Sequence, residues 1–438
     1  MARELATQLE EIDLNSSSAA DSLRALLTGG PSSDADTVKV KEAALGRLCD
    51  LLVKQGDAES LGSLFQELRP MFATIPKAKT AKIVRTVIDA ISRVPGSTEL
   101  LLRVTRDQVQ WAGAEKRSFL RQRLETRLAG LLLETKDFTG ALSLLAKLSS
   151  EVKKLDDKLL LVDIYLLESQ AHHAVKNLPR SRASLTAARA SANAVYVPPS
   201  TQADLDTQSG LLHLEERDFV TAYSYFYEAQ EAYAALGSPR AVQALKYMLL
   251  AKVMRGEVAD VAALIASKTG ARRRARIGGA GAAFTAIDAD APDVAAVRAV
   301  SGAYERRSLH DFQAALGAYG PQLAEDANVV SHLKDMYETM LEQNLLRHVL
   351  IIEPYSRVEV QHVAKLIDLP AAKVETKLSQ MILDKLFAGT LDQGNGLLEV
   401  WEQGAKEEVF PLVLGAFESL GRSVEHLQDR SIKLVAAS

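Results

Sequence analysis

Cysteine is almost missing from this 438-residue chain, with Cys49 its only representative. A single thiol excludes an intrachain disulfide and a thiolate metal cluster, and it suits a reducing compartment. Cys49 lies among Leu45, Leu48, Leu51 and Leu52, the spacing of an apolar helix face, so it reads as a core residue and not as a nucleophile. The histidines form no His-x-His pair with a downstream Asp and no His-Glu-x-x-His zinc motif. His172 and His173 are adjacent, so on a helix they point to different faces and do not readily share one metal. No Gly-x-x-x-x-Gly-Lys-[Ser/Thr] phosphate loop occurs; Gly278-Gly279-Ala280-Gly281 lacks both the following Lys and a preceding strand. No apolar run reaches the roughly 18 residues of a membrane span. The first twenty residues are acidic and carry no apolar core, unlike a signal peptide. No catalytic, cofactor-binding or metal-binding residue is assigned. A protein without enzymatic activity, in the cytoplasm and nucleus, is expected.

The net charge of −4 and pI near 6.1 give no global pull toward nucleic acid or an anionic membrane. Hydrophobic residues at 47% and charged residues at 25% describe a chain able to bury a large core. Aromatics are scarce, at 5%, yet Tyr223, Tyr225, Phe226, Tyr227 and Tyr233 fall together. They read as packing between adjacent helices; stacking on nucleic-acid bases is the alternative.

Strand signals are nearly absent before residue 350, and the periodicity is helical. Leu124, Leu128, Leu131 and Leu132 fall at i, i+4, i+7 and i+8, which gives a helix one apolar stripe and one wet face. A short pattern recurs. Lys136-Asp137-Phe138-x-x-Ala141 and Arg217-Asp218-Phe219-x-x-Ala222 are separated by about two periods of forty residues. Weaker copies at the same interval place turns near positions 58, 98, 138, 178, 219 and 258. Each turn carries Gly, Asp, Asn or Pro, which leave one helix and cap the next. The bulky residue after the turn is expected to pack inward, and the alanine three residues later to permit close helix approach. One hairpin cannot bury its own apolar face, so neighbours are expected to stack as a solenoid. An unrepeated helix bundle is the alternative.

The run Arg272-Arg273-Arg274-Ala275-Arg276 and its glycine-rich sequel read as a surface insertion over 270–300, with a basic nucleic-acid patch or localisation signal as the alternative. Character changes again in the last quarter. Residues 331–349 form an amphipathic helix, which Glu353-Pro354-Tyr355-Ser356 ends. Ser356 with Glu359 reads as a capping box for a short helix bearing Val360, Val363, Ala364 and Ile367. A second helix runs from Ala371 to Asp384. Residues 387–392 and 397–401 then make a hairpin around Gly394-Asn395-Gly396. Helix, helix–turn–helix and hairpin in that order predict a winged helix. Its second helix offers only Lys373 and Lys377, with Glu375 between them. That is poor equipment for reading DNA or holding phosphates, so protein contact is the preferred reading. A final helix over 405–434 carries Val409, Leu412, Val413, Phe417, Leu420, Val424 and Leu427 along one side. These are the candidate interaction residues.

Arg357 through Gly394 resembles the winged-helix core of PCI domains, which are shared by subunits of the proteasome lid, the signalosome and a translation initiation factor. Leu378 through Lys385, with Asp392-Gln393-Gly394, resembles the proteasome-lid branch. So do Ile75 through Lys82, Glu115 through Arg121, Asp156-Asp157-Lys158 and Lys246 through Leu250. The likeness spans nearly the whole chain. Residues 271–300 depart from it, and His348 through Ile351 looks like an extra piece. The resemblance implies a mostly α protein: an N-terminal segment over 1–40, a right-handed helical-repeat solenoid over 41–219, a PCI module over 220–403 (helical part 220–350, winged helix 351–403) and a C-terminal bundle helix over 404–438. It implies a non-catalytic scaffold of the 26S proteasome lid in ubiquitin-dependent protein degradation. The solenoid would reach the ATPase ring and the core-particle alpha ring. The PCI domain and last helix would join other lid subunits. No cofactor, nucleic acid or membrane is an expected partner. A PCI scaffold of the signalosome or of an initiation factor, or a winged-helix nucleic-acid adaptor, stand as alternatives.

Overall fold

The computed structural model describes residues 19–28, 35–72, 75–261, 264, 292–324, 326–352, 357–367, 369–401 and 409–437. The chain divides into two compact units, with the boundary after Arg255. The first is built from α1 (Ala19–Thr28), α2 (Ala35–Gln55), α3 (Ala58–Phe72), α4 (Lys77–Ser92), α5 (Thr98–Ala114), α6 (Ser118–Glu134), α7 (Phe138–Leu155), α8 (Lys158–Ala174), α9 (Leu178–Asn193), α10 (Pro199–Glu215), α11 (Phe219–Ala235) and α12 (Arg240–Arg255). Consecutive helices pack against each other, and α6, α8 and α10 also pack in series. The hairpin stack therefore continues past the 219/220 boundary expected from sequence, because α11 sits between α10 and α12. The stretch 265–291, with its arginine run, lies outside the described residues.

One turn design recurs along this unit. A residue with positive φ stands at Gly56, Gly96, Lys116, Lys136, Asp156, Lys176, Arg217, Gly237 and Gly256, close to every twentieth position. Lys136 shows how it works. Its N–H donates to Leu133 O at 3.1 Å, and the N–H of Asp137 donates to Leu132 O at 2.9 Å. These two bonds close the carbonyls that a helix leaves open at its C-terminus. The side chain of Asp137 then accepts from the N–H of Gly140 at 3.0 Å and caps the next helix. Asp57, Asn177 and Asp218 repeat the arrangement. Lys116, Lys136, Lys176 and Arg217 carry a Cβ where glycine is easier, at about 1 kcal/mol each. Their positive side chains lie at the negative end of the helix macrodipole, which offsets part of that cost. Near 76 and 198 the rhythm changes. There Pro76 and Pro198, with φ −56° and −57°, lead extended backbone into α4 and α10.

Ala141 and Ala222 are fully buried, as the repeat pattern required. Phe138 and Phe219 are half-buried, so they pack inward less deeply than the alanines. They stand on the first turn of their helices, and the close contact between helices falls one turn later. Apolar side chains from α1 to α6 form a continuous core. Cys49 belongs to it, and burial, helped by Asp50 and opposed by Arg93, pushes its thiol up to about 12. Closer to α12 the packing depends on small residues. A Cβ on Gly210 would come within 2.6 Å of the Phe226 ring. Ser169 and Ser181 exchange hydrogen bonds between α8 and α9. The aromatic group of α11 is consumed by packing. Phe226 meets Tyr247 at 5.3 Å, Tyr225 lies under the Arg189 guanidinium at 4.4 Å, and Tyr223 lies under Lys252 at 4.9 Å.

The second unit holds α13 (Pro292–Arg306), α14 (Leu309–Ala318), α15 (Gly320–Ala324), α16 (Ala327–Ile352), β1 (Arg357–Glu359), α17 (Val360–Ile367), α18 (Ala371–Leu383), β2 (Ala388–Asp392), β3 (Leu397–Trp401) and α19 (Val409–Ala437). The sheet has the order β1-β3-β2, antiparallel throughout. With α16, α17 and α18 it makes the winged helix expected from sequence. Asp392 holds the wing by accepting from the N–H groups of Gly394 and Asn395. Glu359, expected at the start of the first helix of the motif, is in β1, and its capping-box partner Ser356 lies outside the described residues. The reason is cross-strand pairing. Arg357 through Glu359 registers against Leu397 through Glu399, Arg357 Nε meets Glu399 Oε1 at 2.6 Å, and the N–H of Val360 donates to Gly396 O at 2.9 Å. The His348–Ile351 stretch falls within α16, near its C-terminal end.

Two substitutions test this account by urea unfolding. Gly210→Ala should cost about 1–3 kcal/mol through overpacking and be partly rescued by Phe226→Leu. Asp137→Ala should cost about 1 kcal/mol through the lost cap.

Candidate interaction surfaces

Helix α19 is the most exposed apolar element of the second unit. It spans 29 residues, or about 43 Å. Phe417 and Leu427 are each 67% exposed, Leu420 62% and Val424 56%. Val413, Phe417, Leu420, Val424 and Leu427 are spaced 4, 3, 4 and 3 residues apart, the heptad spacing of a seam that packs knobs into the holes of neighbouring helices. Leu412 lies about 100° round the helix from Val413, beside that seam and not in it, though it is exposed too. The side chain of Val409 lies outside the described residues. Ala416, Gly421 and Ser423 flank the seam, where a two-stranded coil would carry paired charges. Glu418, Arg422, Glu425 and Asp429 occupy the far side. A broad apolar-and-small face of this kind fits a bundle of several helices. Burial of the five seam side chains would contribute on the order of 10 kcal/mol before the entropy cost of association.

The winged helix keeps little cationic surface for nucleic acid. Lys377 of α18 is buried, and its Nζ donates to Glu342 Oε1 at 2.9 Å and Glu338 Oε2 at 3.3 Å, both on α16. Burial opposes its charge. The hydrogen bonds and charges of Glu342 and Glu338 outweigh that and hold the ammonium above its ordinary value. Of the two lysines noted in the sequence, only Lys373 faces solvent.

In the first unit a groove of about 650 Å³ runs along α4, α6, α8 and α10. Its lining mixes charges of both signs, including Arg85, Arg123, Asp163 and Glu134. Asp163 is reached by solvent but enclosed by the walls. Desolvation, with Asp204 nearby and Arg123 opposing, pushes its carboxyl to about 6. His172 and His173, adjacent in sequence, are both buried. His173 Nε2 lies 3.5 Å from Glu215 Oε1, and burial holds its pKa below the usual value despite that neighbour. No group of three or more His, Cys, Asp or Glu side chains suited to a metal occurs among the described residues. Nor is any described helix long and apolar enough to cross a membrane.

A stack of helical hairpins, a winged helix and a long unpartnered final helix define the class of PCI-type subunits. The PCI domain family matches residues 316–402, and the family described as 26S proteasome regulatory subunit RPN6 N-terminal domain matches residues 2–135. The 26S proteasome non-ATPase regulatory subunit 11 homolog of Arabidopsis thaliana is 49% identical over 97% of both chains. The probable 26S proteasome regulatory subunit rpn6 of Schizosaccharomyces pombe is 45% identical over 93% of both. The 26S proteasome regulatory subunit RPN6 of Saccharomyces cerevisiae is 38% identical, covering 94% of this chain and 92% of its own. The chain belongs to this family, that of 26S proteasome non-ATPase regulatory subunit 11.

Lys377→Ala should lower stability by about 1–3 kcal/mol, because it strands two carboxylates against α18, and added salt should narrow the gap; denaturant titration at two salt concentrations measures this. Asp163 and His173 act oppositely with pH. The raised Asp163 pKa means that ionisation opposes folding above pH 6, so Asp163→Asn should raise the melting temperature at pH 8. That gain should shrink as pH falls through 6 and vanish below about 4. The depressed His173 pKa makes its contribution full above the unfolded value near 6.5 and progressively lost below it. His173→Gln should therefore flatten the acid side of the stability profile.

Proposed function

We propose that this chain is a non-catalytic scaffold subunit of the proteasome lid, serving ubiquitin-dependent protein degradation in the cytoplasm and nucleus. The hairpin arm reaches the ATPase ring and the core-particle alpha ring, while the PCI module and α19 bind other lid subunits. The heptad seam of α19 carries this reading. Val413, Phe417, Leu420, Val424 and Leu427 form an apolar face on a helix that the chain leaves uncovered, and such a face is stable in water only when neighbouring helices bury it. The names and near-complete coverage of the relatives support the assembly to which it belongs. They favour the proteasome over the signalosome or an initiation factor. The capture of Lys377 by two glutamates and the packing of the α11 tyrosines argue against a nucleic-acid adaptor.

The test is assembly in cells. Phe417→Asp with Leu420→Asp should leave the melting temperature of the free chain unchanged within about 1 °C, because both side chains already face water. The same variant should fall out of purified lid by native mass spectrometry. Full incorporation of the double variant would refute the role given to α19.

A further inference from the structure

We propose that the groove between α14, α15, α16 and the start of α18 is a docking site for a short acidic, leucine-bearing segment of a partner protein. This rests on the scaffold reading of the PCI module and deepens it by naming a surface and the chemistry of its partner. The groove holds about 550 Å³, within the range of sites that enclose ligand side chains. Its floor is apolar. Leu323 and Leu333 are buried, and Leu316 and Val330 are half-buried. Gln313 closes one wall by donating to the Tyr337 hydroxyl at 3.0 Å.

The charges at its rim are not balanced. Lys334 and Lys373 are both exposed, and neither makes an ion pair among the described residues. Among the described residues of the lining Glu338 is the one carboxylate, and it already accepts from Lys377 Nζ at 3.3 Å. An occupant therefore meets two uncommitted ammonium groups above an apolar floor. Carboxylates on either side of leucine side chains satisfy both features at once. A nucleic-acid backbone would meet the two lysines but leave the apolar floor unmatched, and two cations neutralise too few phosphates to hold it. A basic segment would be repelled at the rim.

Fluorescence polarisation on the purified full-length chain tests this. The probe is a labelled peptide of about twelve residues, chosen to span three helical turns, with leucines at i, i+3 and i+7 and glutamates elsewhere. A control peptide carries lysine in place of each glutamate. The acidic peptide should bind, weaken as salt rises, and lose affinity by about tenfold or more with Lys334→Glu and Lys373→Glu combined; tenfold corresponds to about 1.4 kcal/mol. Both lysines are exposed, so the thermal melt of that variant should match the parent and separate lost docking from lost fold. Leu316→Glu, aimed at the floor, is the second variant and should weaken binding independently. Equal binding of the two peptides, indifference to the charge reversal, or displacement of the acidic peptide by a single-stranded oligonucleotide at physiological salt would each overturn the proposal. None of these outcomes bears on assembly through α19.

Discussion

Several helices of the first unit end where a left-handed residue closes their last carbonyls and the next residue caps the following helix with its own side chain. Lys136 with Asp137, Lys176 with Asn177 and Arg217 with Asp218 each reverse the chain in about three residues. Turns this short restrict how two helices meet, so these hairpins present the same kind of apolar face to their neighbours. No hairpin covers that face alone. Small residues at the crossings, such as Ala141, Ala222 and Gly210, set how closely the helices approach.

Given that constraint, polar chemistry in the chain goes into packing. The serines, tyrosines, arginines and histidines between α8 and α12 hold helices to helices, and the buried Lys377 holds α18 to α16. Side chains that in another setting would bind phosphate, stack on bases or ligate metal are engaged here by their neighbours. Left uncovered in the second unit, among the described residues, are the apolar face of α19 and a groove whose Lys334 and Lys373 make no ion pair. Exposed apolar surface of this size, on a chain whose relatives are proteasome subunits, fits the proposed scaffold role.

Asp163 departs from that rule. Its carboxyl sits in a groove that disfavours its charge, a cost borne by the folded state at neutral pH. Together with α19, it marks places where the isolated chain is not at its stability optimum.

Much of this was legible from sequence because local rules decide it. Helical periodicity, the forty-residue recurrence, the Asp and Asn caps, the wing glycines and the heptad leucines of the last helix all act through neighbours within a few residues. How deeply Phe138 and Phe219 are buried was not legible, because it depends on where the adjacent helix crosses, which no local pattern records. β1 was missed for the same reason: Arg357 through Glu359 becomes a strand only by pairing with β3, some forty residues away. Lys377 looked like a surface cation until α16 brought Glu338 and Glu342 beside it. The sequence by itself therefore determined which segments are helical, where many of them end and that the last one carries an apolar stripe. Only the tertiary structure decided which charges are spent within the chain and which stay free, because pairing at about 3 Å depends on the packing of elements distant in sequence.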